Sequence, residues 1–336
     1  MRRVILLVAL ALVATALVVP GCSSMNKNKI EERLLAMEGN APVRALGLTR
    51  RPAEIVLGNE KVQVEFTYYR AGGAGPGRPT VLLIHGTPSS FATWTDVVFG
   101  GRGSDGQAYP GLARDCDVWV LEMLGHGVTR TQTPPYSFQR AAQWIDGFVD
   151  VMDLKDVTIV GNSYGGEFAW RAALDRSDRI SKVVLMSSSG FARRDDEWLP
   201  EEVKMREMSL AKIGYLLNSR DRVRGALQPH FQSPVDDEHV EEVYLVCSNS
   251  DNWSSMIDLA RDENGLRSGD LAGMKQRALL LWGEKDVAYP IDRFAKAFAS
   301  TIPGARLVLV PNAGHYPQEE QPAFVVARIR EFASEP

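Results

Sequence analysis

This chain of 336 residues contains few cysteines and histidines, and it has no excess of basic residues. It has three cysteines and five histidines, and none of them shows the spacing of a zinc-ligand cluster. There are 38 lysines and arginines against 42 aspartates and glutamates, so the formal net charge is −4 and no basic stripe is present. These absences argue against nucleic-acid binding. The absence of an internal repeat or long low-complexity tract excludes a repeat architecture.

The remaining composition is typical of a globular protein with a sizeable core, being 45% hydrophobic and 24% charged. This length favours one large domain or a domain with an insertion. Short apolar runs alternate with helix-like segments through most of the chain, which predicts an α/β fold with a mostly parallel sheet and helices on both faces. Residues 191–272 break the alternation and predict a helical insertion over the sheet.

The N-terminus has the pattern of an export signal. Arg2 and Arg3 precede an apolar run from Val4 to Val19, and a small residue, Gly21, comes before Cys22. A basic start, an apolar stretch and a small residue before a cleavage point are typical of a secretory signal peptide. We therefore predict a signal peptide over residues 1–21, with an uncleaved membrane anchor as an alternative.

The residues around the predicted cleavage point suggest a lipid anchor. Val19-Pro20-Gly21-Cys22 resembles the lipobox of bacterial lipoproteins, in which the cysteine is acylated and becomes the new N-terminus. Lipid chains on Cys22 would hold the protein on a membrane without spanning it. Ser23 after the cysteine resembles lipoproteins sorted to the outer membrane. The expected location is therefore the bacterial cell envelope, on the outer membrane and facing the periplasm. The other alternative is a signal peptide that is cleaved without lipidation of Cys22.

The rest of the chain is predicted to divide into four parts. Residues 22–52 form a lipidated N-terminus and a polar tether, in which Ile30 to Met37 could form a short amphipathic helix. Residues 53–190 form the first part of the sheet domain, 191–272 a helical cap, and 273–336 the second part of the sheet domain. In an oxidising compartment Cys116 and Cys247 could pair. A thiol at the start of a strand is more often a small buried hydrophobe, so we expect both to stay unpaired.

The stretch from Val157 to Ala173 carries the first functional signal. Val157–Val160 is an apolar, β-branched run typical of a buried parallel strand, and Gly161-Asn162-Ser163-Tyr164-Gly165 follows directly before a helix-like segment. Strand, G-x-S-x-G and helix together describe a nucleophile elbow, in which Ser163 is exposed at the top of the sheet. The Tyr164 N–H would then point to where an oxyanion could form. The alternative is a glycine-rich turn with a solvent-exposed serine.

Further motifs follow in a consistent order: His85-Gly86-Thr87-Pro88 after one strand, Gly125-His126-Gly127 after the next, Trp282 to Pro290, and Asn312-Ala313-Gly314-His315 after the last. With the elbow, they make residues 54–333 resemble the α/β-hydrolase family, in the branch that has a serine nucleophile and a helical cap. Glu122 stands where an aspartate is commoner in that family, which is expected to change loop contacts.

The resemblance implies a role for each motif residue. Ser163 would be the nucleophile, His315 the base and Asp286 the acid that orients it, with Glu284 and Asp292 as weaker candidates for the acid. The second oxyanion donor would be the backbone N–H of Thr87. His85 and His126 are expected to make structural hydrogen bonds. His230 and His239 would lie in the cap, either solvated or lining the substrate site.

The implied activity is acyl transfer on a small, apolar acyl substrate, with no metal or organic cofactor. We expect a hydrolase of carboxylic esters, for which esterases, C–C bond hydrolases and proline iminopeptidases are the similar classes. Two other functions stay open: a ligand-binding, receptor-like protein with little turnover, and a cofactor-free peroxidase-like activity. The contacts that would separate ester, amide and C–C cleavage lie in the predicted cap.

Overall fold

An eight-stranded sheet forms the centre of the computed structural model, which describes residues 24–336 apart from 104–105, 199–202, 204–205 and 208–210. Its strand order is β1-β2-β6-β3-β7-β8-β9-β10. β1 and β2 are antiparallel to their neighbours and the other strands are parallel. The strands are β1 (Thr49–Leu57), β2 (Glu60–Ala71), β3 (Thr80–Ile84), β6 (Asp117–Leu121), β7 (Val157–Asn162), β8 (Ile180–Met186), β9 (Arg277–Gly283) and β10 (Arg306–Val310). This confirms the predicted α/β-hydrolase fold.

Helices cover both faces of this sheet, and further helices lie in the segment between β8 and β9. They are α1 (Lys27–Ala36), α2 (Ala41–Leu46), α3 (Thr95–Phe99), α4 (Phe138–Val151), α5 (Tyr164–Asp175), α6 (Arg220–Leu227), α7 (Asp237–Cys247), α8 (Ser250–Asp262), α9 (Ala295–Thr301), α10 (Pro317–Glu320) and α11 (Pro322–Ser334). Among the described residues, none of the helices is long and apolar enough to cross a bilayer.

Alternation along the strands divides the core into two clusters, one on each side of the sheet. Leu82 and Ile84 of β3 pack with α4 and α5, whereas Val81 and Leu83 of the same strand pack against α1, α3 and α11. Successive strand side chains point to opposite faces, so a strand buried on both faces must be apolar at every position. This explains why β3 reads as an unbroken apolar run.

Two connections contain secondary structure of their own. The glycine-rich segment 100–111 contains a short antiparallel ribbon of β4 (Gly100–Arg102) and β5 (Ala108–Pro110). The C-terminal segment after β10 forms two helices, α10 and α11, because Pro322 has no backbone N–H to continue the ladder of the preceding turn.

The segment after residue 23 is packed against the sheet domain and is not a free polar tether. Residues 27–46 form α1 and α2, and Ile30, Leu34 and Val43 are fully buried in the core cluster that contains α3 and α11. The amphipathic helix expected over Ile30 to Met37 overlaps α1, whose helical period buries one apolar residue per turn. The predicted signal peptide and Cys22 lie outside the described residues.

Lys27 fixes the start of α1 to the rest of the protein. Its ammonium group is buried, donates to the backbone oxygen of Gly127 at 3.2 Å and to the side chain of Asn252, and lies 4.0 Å from Asp251 Oδ2. Burial lowers the pKa of Lys27 from 10.5 to about 8, against the attraction of Asp251. Folding therefore favours the neutral form of the Lys27 side chain between about pH 8 and pH 10.5.

Replacing Lys27 with methionine is expected to change how stability depends on pH. Between pH 8 and 9.5 the unfolded state keeps the Lys27 proton while the folded state loses it, so the free energy of unfolding should rise by about 2 kcal/mol in the wild type. Lys27→Met should lack that rise, and Lys29→Met, at an exposed position, should keep it. Urea unfolding at several pH values measures the difference, and equal slopes in all three proteins would contradict it.

Candidate active site

Ser163 occupies a strained position between β7 and α5. Its φ and ψ are 56° and −126°, in a left-handed region that serine rarely adopts. The backbone is held there because the Ser163 N–H donates to Met186 O at 3.0 Å and the Gly166 N–H donates to Ser163 O at 3.0 Å. This geometry has the strand, sharp turn and helix expected of the elbow.

Glycines let three backbone segments meet at this turn. A Cβ on Gly161 would lie 2.2 Å from Gly165 O, and a Cβ on Gly165 would lie 2.4 Å from His85 O and 2.5 Å from Ile84 O. These neighbours are backbone atoms that cannot move aside as a flexible side chain can. The G-x-S-x-G pattern therefore allows α5 to start directly against the end of β3.

Replacing Gly165 with alanine is expected to destabilise the protein by about 3 kcal/mol or more, because α5 must shift away from β3 to avoid the collision. Gly225 in α6 is the matched control, since a Cβ there meets nothing within 4 Å. Gly225→Ala should stabilise the protein by about 0.5–1 kcal/mol through helix propensity. Urea unfolding compares the two variants, and a loss below 1 kcal/mol at Gly165 would contradict the packing argument.

Asp286 and His315 come together on the loops after β9 and β10. The Nδ1 atom of His315 lies 3.2 Å from Asp286 Oδ1 and 3.1 Å from Oδ2, and both side chains are buried. Asp286 Oδ1 also accepts the backbone N–H groups of Ala288 at 2.9 Å and Tyr289 at 3.0 Å. Asp286 is therefore held by its own loop while it faces the imidazole.

The loop that carries His315 is fixed by groups from two other parts of the chain. The side-chain amide of Asn162 donates to His315 O at 3.0 Å, and Gln318 Nε2 donates to Asn162 Oδ1 at 3.2 Å. The His315 N–H donates to the backbone oxygen of His230 at 2.8 Å. The residue before the elbow serine thus positions the candidate base, a role that the sequence analysis missed because only the fold brings the two segments together.

Thr87, on the other side of Ser163, is held by a buried histidine. Its hydroxyl bonds to His126 Nε2, and His126 Nδ1 donates to Leu124 O at 2.9 Å. Burial lowers the pKa of His126 to about 3, so the ring is neutral and Nε2 accepts the Thr87 hydroxyl. His85 likewise bonds to the backbone, accepting the Met123 N–H at its Nε2 atom at 3.1 Å. Both histidines therefore make the structural hydrogen bonds expected of them.

Glu122 connects the loops that follow β3 and β6. It is fully buried and accepts the N–H groups of Phe91 at 2.5 Å and Val128 at 2.7 Å, while His85 Nε2 lies 3.6 Å away. Burial raises the pKa of Glu122. Its carboxylate leaves little room, because a Cβ on Gly127 would lie 1.9 Å from Glu122 Oε2. Glu122 thus joins the two loops through its carboxylate.

A cavity of about 90 Å³ connects the candidate residues. Ser163, Tyr164, Thr87 and His315 all line it, whereas Asp286 lies behind the His315 ring. The remaining lining residues come from the loops and from the segment over the sheet: Arg193, Trp198, His230, Met256, Ala260, Ala288, Tyr289 and Tyr316. The five site residues predicted from the sequence are therefore close neighbours: Ser163, Asp286, His315, Thr87 and Tyr164.

A buried acidic group next to the cavity was not predicted. Glu263, at the end of α8, accepts the Tyr164 hydroxyl at 2.6 Å and the Tyr289 hydroxyl at 2.9 Å, and the Arg193 guanidinium lies 3.4 Å from it. Burial raises the pKa of Tyr164 well above its usual value. No local pattern marks Glu263, because its partners are about 25, 70 and 100 residues away.

The competing candidates lie elsewhere. Glu284 and Asp292 are exposed, so neither replaces Asp286 beside His315. His230 lines the cavity, whereas His239 is buried outside it.

Cys116 and Cys247 are both buried and unpaired, and burial raises the thiol pKa of each, to about 11 and about 12. Neither has the low thiol pKa of a nucleophile.

Comparison with known proteins gives a family match over most of the chain. Residues 81–328 match the model of the alpha/beta hydrolase family. The chain is 26% identical over 279 residues to the uncharacterized hydrolase YugF of Bacillus subtilis, covering 81% of this chain and 94% of that protein. It is 25% identical over 272 residues to the 2-hydroxymuconate semialdehyde hydrolase of a Pseudomonas species, covering 78% and 89%.

Solved structures support the fold. A thermophilic esterase from Thermogutta terrifontis superposes with a TM-score of 0.66 at 21% identity, covering 84% of this chain and 97% of that one. At this identity the likeness concerns the fold alone. The match extends over both parts of the sheet domain.

Proposed function

The chain belongs to the α/β-hydrolase family, and from this premise we propose that it is a serine hydrolase of carboxylic esters or related acyl compounds. One observation carries the proposal: Ser163 and His315 line the same small cavity, and Asp286 lies against the far side of the His315 ring. A serine hydroxyl is a weak nucleophile until an adjacent base takes its proton and a third group orients that base. These residues supply all three parts.

Each residue has one chemical task in this mechanism. The His315 Nδ1–H donates to Asp286, which leaves Nε2 unprotonated and able to accept the Ser163 proton. Ser163 Oγ attacks the substrate carbonyl carbon, and a tetrahedral oxyanion forms. The C–O bond to the leaving alcohol then breaks, and His315 returns the proton to that alcohol. Water repeats the sequence on the acyl-enzyme and releases the acid.

The developing oxyanion would be stabilised by the backbone N–H groups of Thr87 and Tyr164. Support for this comes from their position, since both residues line the cavity beside Ser163 and Tyr164 is the first residue of α5. A helix N-terminus presents unpaired N–H groups and a positive end of the helix dipole. Each such donor typically lowers the barrier by about 3–4 kcal/mol.

Fluorophosphonate labelling tests the nucleophile. A fluorophosphonate forms a stable bond to an activated serine, and peptide mass spectrometry should find it on Ser163. Asp286→Asn should slow labelling without moving it, because the base loses its orientation. A label on any other residue would overturn the assignment.

The substrate class is tested by turnover of ester, amide and vinylogous diketone panels. We expect the fastest turnover with apolar esters, because aromatic and aliphatic side chains form much of the cavity wall. C–C bond hydrolysis is the second candidate, favoured by the similarity to the 2-hydroxymuconate semialdehyde hydrolase. Binding without turnover, unchanged by Ser163→Ala, would instead indicate a receptor-like protein.

We also propose that the protein is a lipoprotein anchored to a bacterial membrane through acylated Cys22. The pattern before Cys22 supports this. The residues after Cys22 dock on the folded protein, since Ser24 Oγ accepts the Ser250 N–H at 2.9 Å and the Met25 N–H donates to Ser248 O at 2.9 Å. Mass spectrometry of the N-terminal peptide should find the acyl chains. Cys22→Ser should release the protein from the membrane fraction, and unchanged membrane association would contradict the proposal.

A further inference from the structure

A second cluster of ionisable side chains lies outside the cavity of Ser163, between α7 and α10. His239 and Glu242 are three residues apart on α7 and therefore share one face of the helix, and Glu319 projects from α10. One nitrogen of His239 and one oxygen of each carboxylate all lie within 4.8 Å of one another. His239 is 4% and Glu242 2% exposed, whereas Glu319 is only partly buried, so the group is compact and opens to solvent on the Glu319 side.

The charges of this cluster do not balance. His239 Nδ1 lies 2.7 Å from Glu319 Oε2 and 3.5 Å from Glu242 Oε2. Even a protonated imidazole would supply one positive charge to two carboxylates. Buried charge is costly unless it is compensated, and a divalent cation beside a neutral imidazole would neutralise both carboxylates.

The second oxygen of each carboxylate is already held by hydroxyl or amide donors. Glu242 Oε1 accepts the hydroxyls of Ser89 at 2.9 Å and Ser90 at 2.8 Å and the Ser90 N–H at 2.8 Å. Glu319 Oε1 accepts the hydroxyl of Thr93. Both Oε2 atoms are thereby turned towards the imidazole. Hydrogen bonds that orient ligands in this way are typical of the outer shell of metal sites.

A cavity of about 380 Å³ gives access to the cluster. His239, Glu242, Glu319 and Gln318 line it, together with the carboxylates of Asp96, Asp236, Asp237 and Glu238. Within the described part of the chain, the buried atoms Gln318 Oε1 and His239 Nε2 have no hydrogen-bond partner. Gln318 Oε1 is thus an uncommitted oxygen beside the cluster, and the acidic rim would attract cations to it.

We propose that His239, Glu242 and Glu319 bind a divalent transition-metal ion, with Zn²⁺ as the best fit. One imidazole and two carboxylates are ligands that zinc accepts, and water or the Gln318 amide oxygen would complete a four-coordinate site. The inference does not depend on the proposed hydrolase activity, because none of the three ligands lines the cavity of Ser163.

The position of the site indicates a structural role. The ion would connect α7, in the segment over the sheet, to α10 in the sheet domain. The His239 ring lies 5.3 Å from the ring of Tyr316, which lines the cavity of Ser163. Metal binding should therefore fix the wall of that cavity and raise the thermal stability of the protein.

Titration of the chelator-treated mature protein with Zn²⁺ and Co²⁺ tests the proposal. Calorimetry should find one Zn²⁺ per chain, and Co²⁺ should give the visible absorption bands of a four-coordinate N/O site. His239→Gln and Glu319→Gln should each weaken Zn²⁺ binding by about 100-fold or more, and Thr93→Ala, which removes an outer-shell donor, by about 10-fold. Asp96→Asn is the matched control, because it neutralises a carboxylate of the same cavity outside the ligand set and should leave binding within threefold.

Circular dichroism in the presence of chelator first establishes that each variant folds. If His239→Gln does not fold, Glu319→Gln alone tests the ligand set. A Zn²⁺-dependent rise in the melting temperature of the wild type and Asp96→Asn, but not of Glu319→Gln, would support the site. Binding that both ligand variants retain, a Co²⁺ spectrum equal to that of the free hexa-aqua ion, or no Zn²⁺ binding at 100-fold excess would each overturn it. Binding of spermidine in place of Zn²⁺ would overturn it too, since it would assign the cavity to organic ammonium ions.

Discussion

Replacing Ser163 with alanine is expected to lower kcat for p-nitrophenyl ester hydrolysis by about 10⁴- to 10⁶-fold. The variant loses the atom that would form the acyl bond, while the oxyanion donors and the substrate cavity remain. Because these remaining parts still bind and polarise the carbonyl, some turnover above the water rate should persist. Stopped-flow absorbance at saturating ester measures both the burst of nitrophenolate and the steady rate, and the burst should disappear.

The fold should not account for this loss. Alanine can occupy the φ of 56° at position 163 with about the same strain as serine, so the melting temperature should change little. Ser188→Ala is the matched control, since Ser188 is a buried serine at the end of the neighbouring strand whose hydroxyl bonds to Ser189 O. Its kcat should stay within threefold of the wild type. A Ser163→Ala variant with more than a tenth of wild-type turnover would identify another nucleophile.

The sheet domain was predictable because its signals are local. The central strands that are buried on both faces are largely apolar. Ser137 precedes α4 as its side-chain cap and accepts the Arg140 N–H at 3.2 Å. The elbow was predictable for the same reason, since its strand, glycines and helix are contiguous. Such features depend on neighbours within a few residues, and a single sequence contains those.

The missed features depend on contacts that the fold alone creates. The amide of Asn162 bonds to His315 across 153 residues, and Glu263 joins Tyr164 across 99 residues. Asn and Glu are ordinary surface residues, so nothing local distinguishes these two. The amphipathic character of α1 was readable from the sequence, but its docking on the sheet domain was not, because that docking depends on the contact of Lys27 with Gly127, 100 residues away.

Two contacts tie the segment over the sheet to residues of the candidate active site. The backbone oxygen of His230 holds the N–H of His315, and a Cβ on Gly314 would lie 2.1 Å from that same oxygen. Glu263 holds the hydroxyl of Tyr164, the residue after the candidate nucleophile. Movement of this segment would therefore displace His315 and the elbow together. In the proposed mechanism, a substrate that moves this segment would change the position of the base and of the nucleophile.

The second large effect is expected from replacing Asp286 with asparagine, which should lower kcat by about 10⁴-fold with little change in stability. An asparagine oxygen can still accept the N–H groups of Ala288 and Tyr289 that Asp286 Oδ1 accepts. The asparagine NH₂ group would then replace Oδ2, which lies 3.1 Å from His315 Nδ1. Since NH₂ is a donor, Nδ1 must become an acceptor and the imidazole proton moves to Nε2.

That change of tautomer disables the base without removing it, because Nε2 is the atom that would take the Ser163 proton. The effect should therefore appear in kcat and in the rate of fluorophosphonate labelling, with KM altered much less. Asp292→Asn, at an exposed aspartate paired with Lys296 at 2.5 Å, is the matched control and should keep wild-type kcat. A loss below tenfold in Asp286→Asn would mean that His315 is oriented by another group, and the residues beside it would then have to be reassigned.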